Sequence, residues 1–462
     1  MIFSSIPFLY YFLPIVLLFY YLVPKGFQNA LLLLGSLLFY AWGEPRFLAV
    51  MLISTALGYG FGLAMERFPR KRKPLLVLSV LFSLSFLLYF KYANFFLENL
   101  NALAGTSFRL AKISLPVGIS FYTFQILSYT IDVYRGEVTA QKNPIDLACY
   151  VTFFPQLIAG PIVRYSDIAR QLGSRVHNFE NIRQGAQLFL IGLGKKVLLA
   201  NLLGEISSAW RQTASNSLLF VWLYAVSFCL HIYFDFSGYS DMAIGLGRLF
   251  GFRFPENFNY PYISRSITEF WRRWHISLGS WFRDYVYIPL GGNRKGKARQ
   301  FLNILIVWML TGFWHGAAWN FIFWGLYFAL LLMLEKVLLL PRLEKSSVFS
   351  RVYVLLAVTF SFVLFDASSL SAAASCIKQM LGLGRLPLAS QEAVYLLRSN
   401  ALLLILAAVG ATPLPKRAAE RFSRRFPRTA AVLTPLALCL LLMLCTAFLV
   451  DGSYNPFLYF RF

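Results

Sequence analysis

Charge is scarce in this sequence, and acid scarcest of all. Only 14% of the 462 residues are charged, 20 aspartates and glutamates beside 43 lysines and arginines, where a soluble domain carries about 25%. A chain that is also 58% hydrophobic has more apolar surface than a water-facing fold can hide, which excludes a string of soluble domains. Cysteine is sparse too. Cys149, Cys229, Cys376, Cys439 and Cys445 are scattered without a CxxC pair, which excludes a disulfide scaffold and a zinc ribbon and leaves them as small apolar fillers. Histidine occurs four times and never as HExxH, so no metal is expected. No internal repeat or low-complexity tract occurs. The net charge of +23 lies in short loops between apolar runs, so it points to anionic lipid headgroups and not to nucleic acid.

What the sequence does have is a succession of apolar runs long enough to cross a bilayer, which takes about 20 residues each. They predict an all-α polytopic membrane protein, residues 1–462 forming one membrane domain of about 11 to 13 segments. The expected spans lie near 6–23, 29–43, 47–65, 74–97, 113–132, 144–163, 184–203, 218–247, 301–316, 317–334, 352–366, 399–413 and 430–450. The first run has no basic flank or small-residue cleavage site and reads as a retained span. ERFPRKRK (66–73) and KRAAERFSRRFPR (416–428) are the densest basic loops, so both are expected in the cytoplasm, which places both termini outside.

Three stretches do not read as simple spans. The run 218–247 is too long and is interrupted by FSGYS (236–240); PQLIAGPIV (155–163) carries two prolines and a glycine; 301–316 and 317–334 are short and meet at His315. Non-helical backbone at membrane depth needs protein or a water-filled cavity to cover it, so broken or re-entrant helices and a cavity are expected. Between 255 and 299 the chain turns basic and aromatic. Ser266 and Glu269 have capping-box spacing and open a helix that gathers Phe270, Trp271, Trp274, Leu278 and Trp281 on one face, with Arg272, Arg273 and Arg283 elsewhere. That pattern predicts an amphipathic helix in the cytoplasmic interface.

Two histidines carry the chemistry this sequence can offer. His315 stands inside an apolar run, in TGFWHGAAWNF, where an ionisable group is costly and usually functional; desolvation would keep it neutral and able to act as a general base. His275, beside Trp271 and Trp274, reads either as an amphipathic anchor or as a second functional ring. His231 and Asp235, at i and i+4, read as a structural intramembrane pair, a relay or metal ligands. Asp241 is expected to hold irregular backbone, His177 to be solvated, and Lys195 and Lys196 to snorkel or to attract an anion.

The stretches YFDFSGYSDMAIGLGRLFGF, NFNYPYISRSITEFWRRWHISLGSWFRDYVYIPLGGNR and TGFWHGAAWNFIFWG, with LLFYAWGEPRF and LPVGISFYTFQILSYTIDVYRG upstream, resemble the membrane-bound O-acyltransferases. The resemblance is to the bacterial branch that acylates alginate, peptidoglycan and teichoic acid. It spans nearly the whole chain, with a core at about 115–335, N-terminal spans in 1–112 and C-terminal spans and a tail in 336–462. It implies a helical bundle pierced by a tunnel, with His315 as the essential histidine and His275 as the second. It also implies a donor thioester arriving from the cytoplasm, acetyl-CoA as substrate and no bound cofactor, or else an acyl carrier protein bearing D-alanine.

Arg272, Arg273 and Arg294 would then attract the donor, with Trp274 and Asp241 near it. Asn320, Trp314 or a backbone N–H would steady the oxyanion. An external partner resembling SGNH esterases would receive the acyl group, at a bacterial cytoplasmic membrane. In the tail, NPFLYFRF (455–462), the resemblance makes Tyr459 an acyl relay, whereas composition alone makes it part of an aromatic belt. A lipid or protein acyltransferase and, from another class, a transporter or scramblase also fit buried charges and broken helices. Missing inverted repeats count against the last.

Overall fold

The computed structural model describes residues 1–110, 113–212 and 216–452, which form helices and their connections, with no strand among the described residues. Apolar backbone in lipid has to satisfy its own hydrogen bonds, and the helix does so within one segment. Among the described residues, seven helices are long and apolar enough to cross a membrane: Pro45–Arg67, Pro69–Ala104, Phe179–Gln212, Leu218–Leu249, Trp319–Lys345, Ser347–Asp366 and Pro427–Asp451. Gln391–Ser399 and Ala401–Gly410, bent by 58°, make an eighth if they act as one span. The chain is therefore a multi-pass membrane protein. The expected spans at 6–23 and 144–163 are shorter helices, Phe8–Leu22 and Pro144–Thr152.

The chain divides into two compact units, one of residues 1–189 and 240–255, the other of 190–239 and 256–462. In the first, helix Ile119–Arg135 (α1) is buried along most of its length. The proline-rich stretch behaves as its composition predicts. One turn, Phe154–Leu157, gives way to irregular buried backbone with Gly160 at φ +111°. Two side chains hold that irregular stretch: Ser36 Oγ accepts from Phe154 N at 3.1 Å, and Tyr150 OH donates to Val163 O at 3.0 Å. His177 is not solvated as expected. It is half-buried, its Nε2 2.8 Å from Tyr20 OH, because the Tyr20 ring and Arg175 pack around that loop.

Helix Leu218–Leu249 (α2) belongs to the second unit as far as Tyr239, and it runs unbroken through FSGYS. The expected interruption is absent for a packing reason. A methyl at Gly238 would lie 2.8 Å from Gly192 O, so the glycine lets two helix backbones touch. One turn earlier, Asp235 meets Lys196 Nζ at 2.5 Å, with only 1 to 2% of either side chain exposed. Lys196 therefore neither snorkels nor waits for an anion. It sits in a π-helical stretch, Lys195–Asn201, whose wider turn lodges it among buried neighbours. His231 is buried and stacked on Phe228, ring centroids 6.3 Å apart.

The amphipathic segment is present but is broken in two. Ser266 Oγ accepts from Glu269 N at 3.0 Å, as the capping box requires, and helix Ile267–Arg273 (α3) follows, then Ile276–Phe282 (α4). Their aromatic face lies against protein: Trp271 packs on Trp308, Trp324 and Phe328, and Trp274 on Phe258, Phe270 and Phe362. The buried Glu335 carboxylate reaches the start of α3 and accepts from Ile267 N (2.5 Å), Thr268 N (3.0 Å) and Thr268 Oγ1 (2.8 Å). It supplies the acceptors that the first turn of a helix lacks.

Lys297–His315 (α5) and Trp319–Leu334 (α6) form the hairpin expected around His315. Glycines make it tight. A methyl at Gly312 would lie 2.2 Å from Phe321 O, and one at Gly325 2.2 Å from Trp308 O, so the helices cross with their backbones in contact. Ser347–Asp366 (α7) packs beside α6.

Candidate active site

His315 is the last residue of α5, and Gly316 leaves the helix in extended backbone. Its ring is boxed by Trp314 at 4.9 Å, Trp324 at 5.0 Å and Phe365 at 5.3 Å, all near edge-on. These rings form an apolar wall that excludes water, which strengthens any electrostatic contact made inside it.

His275 lies at the joint between α3 and α4 in the left-handed region, φ +45° and ψ +53°. A β-substituted residue held there marks a conformation that its surroundings over-determine. The surroundings are visible. Ile276 N donates to Asn257 O at 3.0 Å and Asn259 N to Arg273 O at 2.9 Å, so the 257–259 loop brackets the joint from both sides. Asn257 Oδ1 accepts from Ser277 N at 3.2 Å and Ser277 Oγ at 2.8 Å, and lies 3.2 Å from His275 Nδ1. The His275 ring meets Phe236 edge-on at 4.7 Å, and burial pushes its pKa down to about 3, so it is neutral at physiological pH. Trp314 completes the arrangement: 4.9 Å from His315, it also lies 6.0 Å from His275, so one indole touches both imidazoles.

The other expected site residues divide. Trp314 is in the site. Trp274 is buried 4% exposed in the aromatic core beneath the joint. Asn320 Nδ2 donates to Phe365 O (3.4 Å) and Ala367 O (3.1 Å), so its amide protons tie α6 to the end of α7. Arg273 pairs with Glu269 at 2.9 Å and with Asn259 O at 3.1 Å, whereas Arg272 and Arg294 are exposed. Asp241 is half-buried in the first unit. Tyr459 lies outside the described residues. Sequence reasoning missed Asn257 and Ser277. The only local trace was an asparagine in PENFNYPY, ahead of the capping box.

A buried pair of imidazoles sharing one indole fits proton transfer, and comparison with known proteins supplies the class. Residues 76–376 match the membrane-bound O-acyltransferase family, and the chain belongs to it; it is an O-acyltransferase. Among its relatives are the probable alginate O-acetylase AlgI of Pseudomonas putida, 40% identical with all of both chains covered, and the peptidoglycan O-acetyltransferase of Helicobacter pylori, 33% identical over all of this chain and 98% of that one. The teichoic acid D-alanyltransferase of Bacillus subtilis is 28% identical over 54% of this chain and 68% of its own.

Proposed function

We propose that this acyltransferase takes an acetyl group from acetyl-CoA on the cytoplasmic side of a bacterial inner membrane and passes it outward for O-acetylation of a cell-surface polysaccharide, through an external esterase-like partner. The observation that carries this reading is Trp314 packed against both His275 and His315. It puts two proton-handling rings in contact with one indole. Relatives matched from end to end bear O-acetylating names, whereas the D-alanyl relative matches about half of the chain, which favours acetyl as the cargo.

In the reaction a neutral imidazole accepts the hydroxyl proton as the oxygen attacks the thioester carbonyl carbon. The C–O bond forms, the C–S bond breaks, and the proton passes to the departing thiolate, leaving an ester and a thiol. His315 is the base of this scheme. With the Asn320 amide donating to carbonyls, the N-terminus of α6, four residues past His315, is the better source of oxyanion stabilisation through its N–H groups and dipole. Exposed Arg272 and Arg294 suit the phosphates of CoA at the cytoplasmic mouth.

Beyond the core, Leu414–Arg425 is exposed throughout and carries five basic residues against Glu420, directly before the span Pro427–Asp451; this suits anionic lipid headgroups. Incubating the purified protein with labelled acetyl-CoA or with a D-alanyl carrier protein tests the donor. Loss of label from acetyl-CoA alone is the expected result, and loss from the carrier alone refutes the acetyl reading.

A further inference from the structure

We propose that Asn257 and Ser277 are positioning residues that lock the His275 imidazole as its Nδ1–H tautomer, so that Nε2 always meets the reacting groups as a bare proton acceptor. The inference deepens the acetyl-transfer reading, and its kinetic arm rests on that reading.

Ser277 N is a backbone N–H and can only donate, so the Asn257 side-chain atom facing it, 3.2 Å away, is the carbonyl oxygen and not the amide nitrogen. Ser277 Oγ, at 2.8 Å from the same oxygen, donates as well. An oxygen has no proton to give. Ser277 Oγ also lies 3.5 Å from His275 Nδ1, but its one proton goes to the nearer oxygen at 2.8 Å, so Nδ1, 3.2 Å from that oxygen, carries the hydrogen of its own contact. In a neutral ring the proton on Nδ1 leaves Nε2 with its lone pair, and Nε2 is buried without a hydrogen-bond partner among the described residues. A buried acceptor left bare is costly in a resting fold. It is what a site needs where substrate brings the proton.

The backbone supports this. The left-handed turn at His275 is held by Asn257 O through Ile276 N, so the same residue fixes the main chain with its carbonyl and the ring with its side chain. Asn257 is fully buried and Ser277 is 3% exposed, so bulk water does not compete for either contact.

The groups facing the ring are Phe236 from α2, Phe258 from the loop, Trp314 from α5 and the Asn257–Ser277 pair, none of them charged. Charges on the packed elements are held elsewhere: Asp235 by Lys196, Glu335 by the start of α3, Glu269 by Arg273, and Arg283 by Asp284. Glu256 and Arg272 are exposed, and His315 packs on Trp314 at 4.9 Å.

The chain has only four histidines, so 15N-histidine labelling resolves each ring, with single substitutions for assignment. In the unmodified protein His275 is expected to show a protonated Nδ1 and a bare Nε2. Asn257→Ala should lose the single tautomer and slow acyl transfer about 100-fold, the scale of one positioned proton-transfer group, with the KM for acetyl-CoA unchanged. Asn257→Asp should recover most of the rate. Its carboxylate beside Nδ1–H favours the imidazolium and raises the ring's pKa, so the acid limb of the rate profile should move to higher pH. Should Asn257→Ala not fold, Ser277→Ala removes only the hydroxyl donor, and a partial loss of the Nδ1–H signal is expected.

A protonated Nε2 in the unmodified protein overturns the proposal. So does a full rate in Asn257→Ala, or an unmoved acid limb in Asn257→Asp. Because the tautomer is read without substrate, a locked Nδ1–H in a protein that consumes no acetyl-CoA refutes the acetyl reading and leaves the clamp standing.

Discussion

Placing a methyl group at Gly312 probes the hairpin at its tightest point. The new carbon would lie 2.2 Å from Phe321 O, where ordinary contact begins at 3.4 Å, so α5 and α6 have to part by about 1 Å. The obstacle is backbone and cannot swing aside as a side chain would. His315 is one turn beyond Gly312 on the same helix, and its box of Trp314, Trp324 and Phe365 draws on both sides of the seam. A displacement of about 1 Å in a reacting group costs on the order of 100-fold in rate, or about 2.7 kcal/mol in the barrier. Overpacking itself should cost about 1 to 3 kcal/mol of stability, which a bundle of this size tolerates. The assay is the initial rate of acetyl release from labelled acetyl-CoA by purified Gly312→Ala. Gly60→Ala serves as control, at a helical position with nothing within 4 Å of the added carbon. A wild-type rate in Gly312→Ala would show that the hairpin's spacing does not set the geometry of His315.

Other substitutions test other parts. His315→Ala should lower transfer by at least about 100-fold while insertion and folding stay normal, and normal acylation by that variant removes His315 from the mechanism. Glu335→Gln replaces one acceptor oxygen by an NH2 facing the donors at the start of α3. It should cost about 1.5 to 3 kcal/mol, read as a lower unfolding midpoint in detergent; an unchanged midpoint refutes the capping role. Charge reversal at Arg272, Arg273 and Arg294 should raise the KM for acetyl-CoA about tenfold at low ionic strength, fading as salt rises; unchanged KM assigns these side chains to lipid. Tyr459→Phe should stop transfer to the polymer with donor binding intact, since a phenol of pKa about 10 leaves more readily than a sugar alkoxide. Normal transfer makes the tail an anchor.

What could be read from the sequence was what depends on neighbours along the chain. The cap at Ser266, the irregular backbone after Pro155 and the turn at His315 all follow from residues within a few positions. The break expected at FSGYS failed because glycine serves two ends, bending a helix or letting another one close, and only the opposing Gly192 decides between them. Asn257 was invisible for a similar reason. Its side chain acts on residues 18 and 20 positions away, across a loop and a helix. The split of the amphipathic helix at His275 follows from that bracket, and nothing in the helical spacing of the tryptophans announces it.

The buried contact between Lys196 and Asp235 also bears on how the protein is made. Either charge alone in the hydrocarbon costs about 2.5 to 3.5 kcal/mol on insertion scales, and the two belong to successive membrane helices, Phe179–Gln212 and Leu218–Leu249. Neither helix can settle in lipid by itself without that penalty. Inserted together, the two segments bring each charge its partner and avoid the penalty that either would carry alone.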